Sequence, residues 1–284
     1  MMGKRLDSWV LACLLAIVGA SGCATLPDGS VWGENATVAP GWERVRTSAL
    51  NAARDPHVWV PLAGAAAFQI SDWGREVADW AQRETPVFGS QRNAEQWSDD
   101  LRSASSIAYA TTVLVTPGGD DAGEWRVGKA KGLAVGLAAR GATSQVTQGL
   151  KHAVGRERPN GSDDMSFPSG HTSASAVNTR LASRNLDAIE MPGTVRRVLD
   201  VSLTSLTIGT SWARIEAGMH YPSDTLFGMA LGNFLAAFIN DAFLGAPASN
   251  RSGVMVEAKP RGGAVRFFVV YLRAAKRSGA GQGY

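Results

Sequence analysis

Apolar residues recur at helical spacing along most of the chain, and short stretches rich in proline and glycine separate the apolar segments. The breaks include Pro117-Gly118-Gly119 and Arg158-Pro159-Asn160-Gly161, which favour turns. Small residues run through many of these segments and allow close helix packing. The pattern predicts an all-α, compact helical bundle and not a series of membrane spans. The predicted helices are 42–54, 57–70, 72–84, 93–115, 124–154, 172–187, 194–215 and 222–244.

The C-terminal segment has a different pattern. Residues 254–258 and 265–272 flank a stretch from Lys259 to Gly263 that contains Pro260 and two glycines. Val265, Phe267, Val269 and Tyr271 fall on one alternating face. The segment therefore predicts a β-hairpin with a loose turn, acting as a packing flap on the bundle; a role in membrane or partner contact is the alternative.

The N-terminal residues have the pattern of an export signal. Lys4 and Arg5 precede an apolar run at 9–20 that is short for a membrane span, and Ser21-Gly22 leads to Cys23. This arrangement resembles the lipobox of bacterial lipoproteins, which implies cleavage before Cys23 and attachment of a diacylglycerol to its thiol. An ordinary secretory signal is the alternative. The expected division is a signal peptide at 1–22, a tether at 23–40, a helical domain at 41–245 and a tail at 246–284.

Composition narrows the class of protein. The chain has 284 residues, of which 45% are hydrophobic and 19% charged, and this excludes disorder, collagen-like repeats and a disulfide scaffold. Mean hydropathy is −0.06, which argues against a conventional polytopic membrane protein. The net charge of +3 is small and scattered, so no nucleic acid partner is expected.

Three motifs carry candidate chemistry, in a fixed order. Each has an ordinary structural explanation when taken alone: solvated charges, a surface histidine or a hydrogen-bonded pair. Three such patterns with regular internal spacing are harder to explain in that way. The motifs are Lys151-x6-Arg158-Pro159, Pro168-Ser169-Gly170-His171 and Arg214-x5-His220-x3-Asp224.

The residue types suit the transfer of a phosphoryl group. Lys151, Arg158 and Arg214 supply three cations for its oxygens, and the guanidinium fork binds two oxygens at once. Ser169 and Gly170 lead into a predicted helix whose free amides can bind a phosphate oxygen. These groups can stabilise the developing charge without a metal, and no metal-ligand cluster accompanies the motifs, so we expect no cofactor.

Together the motifs resemble those of the type 2 phosphatidic acid phosphatase (PAP2) family, which shares its fold with the vanadium haloperoxidases. The resemblance implies that His220 is the nucleophile and forms a phosphohistidine, and that His171 protonates the leaving oxygen and then activates water. It further implies that Asp224, one helical turn after His220, holds the other imidazole nitrogen. Ala213 departs from the family pattern, which usually has serine there.

The leading hypothesis is a metal-independent phosphatase of the bacterial cell envelope, anchored by lipid, facing the periplasm and acting on a phosphorylated lipid or diphosphate. Ala24 after Cys23 resembles the pattern of lipoproteins directed to the outer membrane. A small soluble phosphoester is the alternative substrate. A vanadium-dependent haloperoxidase and a non-catalytic envelope lipoprotein are the alternative functions.

Overall fold

Helices form through most of residues 42–239, as the apolar periodicity of the sequence predicts. The computed structural model describes residues 25–26, 30–70, 72–245, 253–261 and 264–272. The chain divides into two compact units, Met1–Ala246 and Pro247–Tyr284. The expected signal peptide and Cys23 lie outside the described residues. The helices of the first unit are α1 Trp42–Ala53, α2 Pro56–Ala67, α3 Trp73–Glu84, α4 Gln91–Val115, α5 Ala122–Val154, α6 Gly170–Leu186, α7 Gly193–Glu216 and α8 Pro222–Ile239, with a π-helical turn at Asn240–Leu244.

The expectation of an all-α bundle is confirmed, and the helix ends lie close to the predicted positions. Helices α4, α5 and α6 begin two residues before the predicted start, because Ser90, Asp121 and Ser169 each cap the first turn by accepting a hydrogen bond from its amides. Helix α5 ends at Val154 and is capped by Gly155, whose φ of 56° lies in the left-handed region. This turn directs the chain into the loop that carries Arg158.

Helix α6 lies at the centre of the bundle and packs against α4, α5, α7 and α8. Its contact with α8 is close enough to require glycine on α8. A Cβ at Gly228 would lie 2.7 Å from the carbonyl oxygen of Ser169, and one at Gly232 would lie 2.4 Å from that of Ser173. The N-terminal ends of α6 and α8 are therefore held together, and both carry motif residues.

The second unit contains an antiparallel pair of strands, β1 Gly253–Arg261 and β2 Ala264–Leu272. Val254 pairs with Tyr271, and Arg261 pairs with Ala264. Strand β1 continues past the predicted end at residue 258, so part of the stretch expected to be turn is strand. Pro260 is compatible with this, because a strand with only one paired edge tolerates a missing amide donor.

One helical segment among the described residues has the length and composition of a membrane span. It is Pro222–Leu244, with a mean hydropathy of 1.4, and 56% of the window is buried inside the bundle. Its buried residues include Gly228, Gly232 and Ala236, which face the neighbouring helices. Burial of this kind is also what a core helix of a bundle requires.

Candidate active site

Helix ends bring the three motifs together. Lys151 lies in the last turn of α5 and Arg214 in the last turn of α7. The contact between α6 and α8 joins the second and third motifs, because the amide of Ser169 donates to the carbonyl oxygen of Asp224 at 3.0 Å. The remaining motif residues lie in the loops that join these helices or in their first turns: Arg158, Gly170, His171 and His220.

His220 is buried, with 1% of its surface exposed, and one ring nitrogen is fixed by the main chain. Its Nδ1 lies 2.5 Å from the carbonyl oxygen of Ser166, which can only accept. Burial, and then the charges of Arg214, Lys151 and Arg158, hold the pKa of His220 well below its usual range. The ring is therefore neutral, with its proton on Nδ1, and Nε2 carries a free lone pair.

The expectation that Asp224 holds this imidazole is wrong in its geometry. The fully buried carboxylate accepts instead from Arg156 Nη1 at 2.6 Å, from the Ser166 hydroxyl at 2.6 Å and from the Tyr221 amide at 2.9 Å. The Tyr221 amide is the N-cap donor of α8, and a carboxylate three residues later reaches back to it. Asp224 thus acts on His220 through Ser166, whose hydroxyl it binds and whose carbonyl oxygen orients the ring.

Two of the three cations are buried without a carboxylate partner among the described residues. Lys151 Nζ donates to the carbonyl oxygen of Met165, and Arg214 Nη1 donates to the Ser98 hydroxyl at 3.4 Å. Burial, and then the charges of Arg158 and Arg214, lower the pKa of Lys151 to about 8. Burial and the charge of Arg158 also lower the pKa of Arg214, to about 10. These shifts mark a region of uncompensated positive charge.

Arg158 is held differently. Its Nε donates to Asp163 Oδ1 at 2.6 Å, and its Nη1 lies 3.0 Å from Met219 Sδ. Asp163 belongs to the short loop between the first two motifs, and its side chain is half-exposed. The pair fixes the direction of the guanidinium, and its remaining donors stay close enough to lower the pKa of His220.

His171, in the first turn of α6, has a partner outside the three motifs. Its Nε2 lies 2.9 Å from Asp99 Oδ1 on α4. Burial, and then the charge of Arg214, lower the pKa of His171 to about 4, and the hydrogen bond with Asp99 opposes this shift. His171 and His220 thus share Arg214 as a neighbouring charge, which sets both rings around one cation.

The capping serine of α6 is partly committed to the fold. Ser169 is fully buried, its hydroxyl accepts from the amide and the hydroxyl of Thr172, and its own amide donates to Asp224. The Ser169 amide is therefore not a donor for phosphate. The amides of Gly170 and His171 follow in the first helical turn, where no intrahelical acceptor exists.

Helix α3 and the start of α4 cover the segment that carries the third motif. The amides of Val87 and Phe88 each donate to the carboxylate of Glu216 at 3.0 Å, and Glu216 is fully buried. Glu216 lies between Arg214 and His220 in the chain. The loop between α3 and α4 is therefore fixed beside the candidate site.

Aromatic side chains line this covering segment. The rings of Trp80 and Trp212 lie 6.2 Å apart, and those of Phe88 and Trp97 lie 6.1 Å apart. Despite these contacts, Trp80, Val87 and Trp97 remain 44%, 64% and 51% exposed. An apolar surface therefore borders the charged region.

The sequence reasoning missed five residues that the structure adds. None is a named position of a motif, although Arg156 and Glu216 fall within the motif spans. All five contact a partner more than 50 residues away in the sequence, so no local spacing signals them. Arg156, two residues from Arg158, is the exception, since a third basic residue in that loop was visible. The five are Ser98, Asp99, Arg156, Ser166 and Glu216.

No group of three or more His, Cys, Asp or Glu side chains among the described residues is arranged to hold a metal ion. The side chains in the proposed phosphate-binding region are cations, which do not bind metal ions: Lys151, Arg158 and Arg214. The charge of this region suits an anion.

Comparison with known proteins finds one family-model match. The family model of the PAP2 superfamily matches residues 129–245 of this chain. Among curated proteins, none matches the chain. A similar solved structure is the crystal structure of the first transmembrane PAP2 type phosphatidylglycerolphosphate phosphatase from Bacillus subtilis, with 17% identity and a TM-score of 0.48 over 65% of this chain and 92% of that chain. The match to this family model supports a phosphatase-type hydrolase.

Proposed function

We propose that this chain is a metal-independent phosphatase that hydrolyses phosphorylated lipids, as monoesters or diphosphates, through a phosphohistidine on His220. The observation that carries the proposal is a buried, neutral histidine with Nδ1 bound to the Ser166 carbonyl oxygen and three cations near its ring. A fixed lone pair in a cationic region is what attack on an anionic phosphorus requires.

In the first step, His220 Nε2 attacks phosphorus and the bond to the leaving oxygen breaks. Lys151, Arg158 and Arg214 bind the equatorial oxygens, where the charge is spread in the transition state. His171 donates a proton to the leaving oxygen, and the alcohol or phosphate departs. The phosphoryl group remains on Nε2.

In the second step, neutral His171 takes a proton from water while the water oxygen attacks phosphorus. The N–P bond breaks, its electron pair returns to Nε2 of His220, and inorganic phosphate is released. His171 ends this step protonated, which is the form that donates in the first step, and the negative charge of a bound phosphate favours that form by raising the pKa from about 4. One residue serves as acid and then as base because the same oxygen position is occupied first by the leaving group and then by water.

The aromatic surface beside the site supports a lipid leaving group. Trp80, Val87 and Trp97 are exposed on the segment that covers the third motif. A charged site bordered by apolar surface suits a molecule with a phosphate at one end and a hydrocarbon chain at the other, and tryptophan favours the boundary between them. A small soluble phosphoester would make no use of this surface.

The lipid anchor at Cys23 remains part of the proposal, supported by the sequence around it. Cys23→Ser should leave hydrolysis intact and move the protein out of the membrane fraction of bacterial cells. Retention of the variant after a carbonate wash would mean that the helices themselves hold the membrane. In that event the exposed aromatic surface is the first segment to change.

The chemical proposal is tested by quenching the reaction with a ³²P-labelled phosphatidate in alkaline detergent. We expect a phosphoenzyme that is labile to acid and stable to base, and that is absent from His220→Ala. Turnover of phosphatidate, a polyprenyl diphosphate and an aryl phosphate then separates the leaving groups. No phosphoenzyme in a chain that turns over would overturn covalent catalysis.

The lipid proposal is tested by tryptophan variants. Trp97→Ala should raise KM for phosphatidate in mixed micelles by about tenfold and leave aryl phosphate unchanged, because only the lipid contacts the aromatic surface. Trp42→Ala is the matched control, since Trp42 is exposed on α1, which packs on the opposite end of α8. Equal effects of the two variants would contradict the lipid assignment.

A further inference from the structure

Helix α4 precedes the segment that matches the family model and carries none of the three motifs, yet two neighbouring residues on it contact motif side chains. The Ser98 hydroxyl accepts from Arg214 Nη1, and Asp99 Oδ1 meets His171 Nε2 at 2.9 Å. We propose that Asp99 is the positioning residue of His171, fixing its tautomer so that Nδ1 exchanges the proton with the substrate oxygen. This inference rests on the function proposed above.

The tautomer follows from the chemistry of the contact. An ionised carboxylate can only accept a hydrogen bond, so His171 Nε2 must carry the hydrogen in the 2.9 Å contact with Asp99. In neutral His171 the lone pair is then on Nδ1, ready to take a proton from water. In protonated His171 the Nδ1–H is the donor to the leaving oxygen. His220 has the reverse arrangement, with Nδ1 held and Nε2 free.

The charges around His171 explain why it needs a carboxylate. Arg214 of α7 and Arg102 of α4 both oppose a charged imidazole, and so does the positive N-terminal end of α6. Among the described residues, Asp99 is the acidic side chain that hydrogen-bonds to the ring. A general acid must hold its proton until the leaving oxygen takes it, and Asp99 supplies the negative charge that favours the protonated form.

A second contact holds Asp99 in place. Arg102, one turn further along α4, donates to the same Oδ1 at 3.3 Å. Burial alone would raise the pKa of Asp99, but the hydrogen bond with His171 and then the contact with Arg102 lower it, so the carboxylate is ionised at neutral pH. Asp99 is itself half-exposed, and solvent screening limits the size of its effect.

The kinetic test uses Asp99→Asn, with Asp100→Asn as its matched control on the same helix. Asp100 is the next residue and is exposed. For an alkyl phosphate, whose leaving oxygen needs a proton, we expect Asp99→Asn to lower kcat by about 10- to 100-fold with KM within about twofold. For p-nitrophenyl phosphate the loss should be under about threefold, because that leaving group departs without a proton. Asp100→Asn should match the unmodified protein on both.

The direction of the pH effect is also fixed. Removing the negative charge of Asp99 disfavours the imidazolium, so the pH at which the alkyl phosphate is hydrolysed fastest should move down in Asp99→Asn. A variant that merely loosened the fold would lose activity on both substrates and keep its pH optimum. Equal losses on the two substrates, or an unmoved optimum, would overturn the proposal.

A readout independent of turnover separates this inference from the proposed reaction. In ¹⁵N NMR of the full chain, His171 should show the tautomer with hydrogen on Nε2, and Asp99→Ala should give a mixture of both tautomers. An unchanged tautomer in Asp99→Ala overturns the positioning role even if the enzyme is a phosphatase. The expected change supports that role even if no phosphoenzyme is found and the covalent mechanism fails.

Discussion

Basic side chains surround both ends of helix α6, and the N-terminal end leaves two of them without a carboxylate partner among the described residues. Towards the C-terminal end, each of three arginines forms an ion pair with a carboxylate. At the N-terminal end, Lys151 and Arg214 bind only carbonyl or hydroxyl oxygens among the described residues. The pairs at the C-terminal end are Arg180–Asp55, Arg184–Asp241 and Arg196–Asp187.

The difference separates a structural from a functional use of the same residue type. A buried cation without an anion costs free energy, and a fold that needs only stability pairs it, as α6 does at its C-terminal end. The N-terminal end instead leaves positive charge uncompensated where a neutral His220 is buried. An anionic substrate supplies the missing charge, so binding relieves a cost that the folded chain carries.

The largest effect should come from the histidine at the unpaired end. His220→Ala removes the only proposed nucleophile, so kcat should fall by about 10⁴-fold or more and the phosphoenzyme should disappear. His57→Ala is the control, because His57 lies beside Asp55 at the paired end. Its kcat should stay within about twofold of the unmodified protein. A comparable loss in both variants would mean that the two ends do not differ in function.

An exchange of arginines tests the comparison directly. Arg214→Gln should lower kcat/KM by about 10²- to 10³-fold with little loss of stability, since its charge has no partner to strand. Arg184→Gln should do the opposite, lowering the free energy of unfolding by about 1.5–3 kcal/mol because the charged contact with buried Asp241 is lost, with kcat/KM unchanged. Urea denaturation and steady-state kinetics on the same preparations measure both quantities.

The carboxylates of the active end should differ from one another. Asp224→Asn weakens the contacts that orient Ser166, and so His220, and kcat should fall by about 10- to 100-fold, less than for His220→Ala. Asp163→Asn should lower kcat by less than about threefold, because the contact by which its half-exposed carboxylate orients Arg158 is weakened by solvent. A greater loss of kcat from Asp163→Asn than from Asp224→Asn would contradict these roles.

Through Lys151, alkaline pH should lower kcat/KM and increase the free energy of unfolding. Burial, and then Arg158 and Arg214, lower the pKa of Lys151 to about 8 from its ordinary value of 10.5. As pH rises through about 8, the free enzyme loses this cation and kcat/KM falls. Between pH 8 and 10.5 the unfolded chain binds the extra proton, so the contribution of Lys151 to stability rises with pH.

Lys151→Arg provides the control for this pH effect, since arginine keeps its charge over the whole range. The alkaline decline of kcat/KM should move to higher pH in the variant. Burial also lowers the pKa of Lys129 to about 8, so a rise in stability should persist there without a kinetic effect. An identical decline in both proteins would assign the titration to another group.

Periodicity was enough to predict the helices, and the resemblance of three motifs to a known family pointed to the candidate residues. Helices such as α5 follow from apolar spacing closed by Gly155, and the roles expected of Lys151, Arg158, Arg214 and His220 combine that resemblance with the chemistry of their side chains. These inferences use residues that are close together in the sequence, and such residues stay close together in the folded chain.

The contacts that orient the motif residues could not be predicted from the sequence, because they depend on how the helices pack. Asp99 meets His171 across 72 residues of sequence, and the group that orients His220 is a main-chain carbonyl, which every residue possesses. Asp224 was predicted to reach the imidazole, but its carboxylate is nearer to the Tyr221 amide at the start of α8. Sequence spacing gave the helical turn that separates His220 from Asp224 but not the competing donors.

The smallest expected effect is that of a chelator, which should leave hydrolysis unchanged. Lys151 and Arg214 perform the role that metal ions have in other phosphatases, so EDTA has nothing essential to remove. Vanadate is the positive control. It adopts five-coordinate geometry, resembles the phosphoryl group between the leaving oxygen and His220 Nε2, and should bind more tightly than inorganic phosphate. Because the oxygens contact the unpaired cations, Arg214→Gln should weaken vanadate binding and Arg184→Gln should not. If EDTA abolished activity and a divalent ion restored it, the cations at the N-terminal end of α6 would be insufficient for catalysis. Equal binding of vanadate and phosphate would argue against in-line attack by His220.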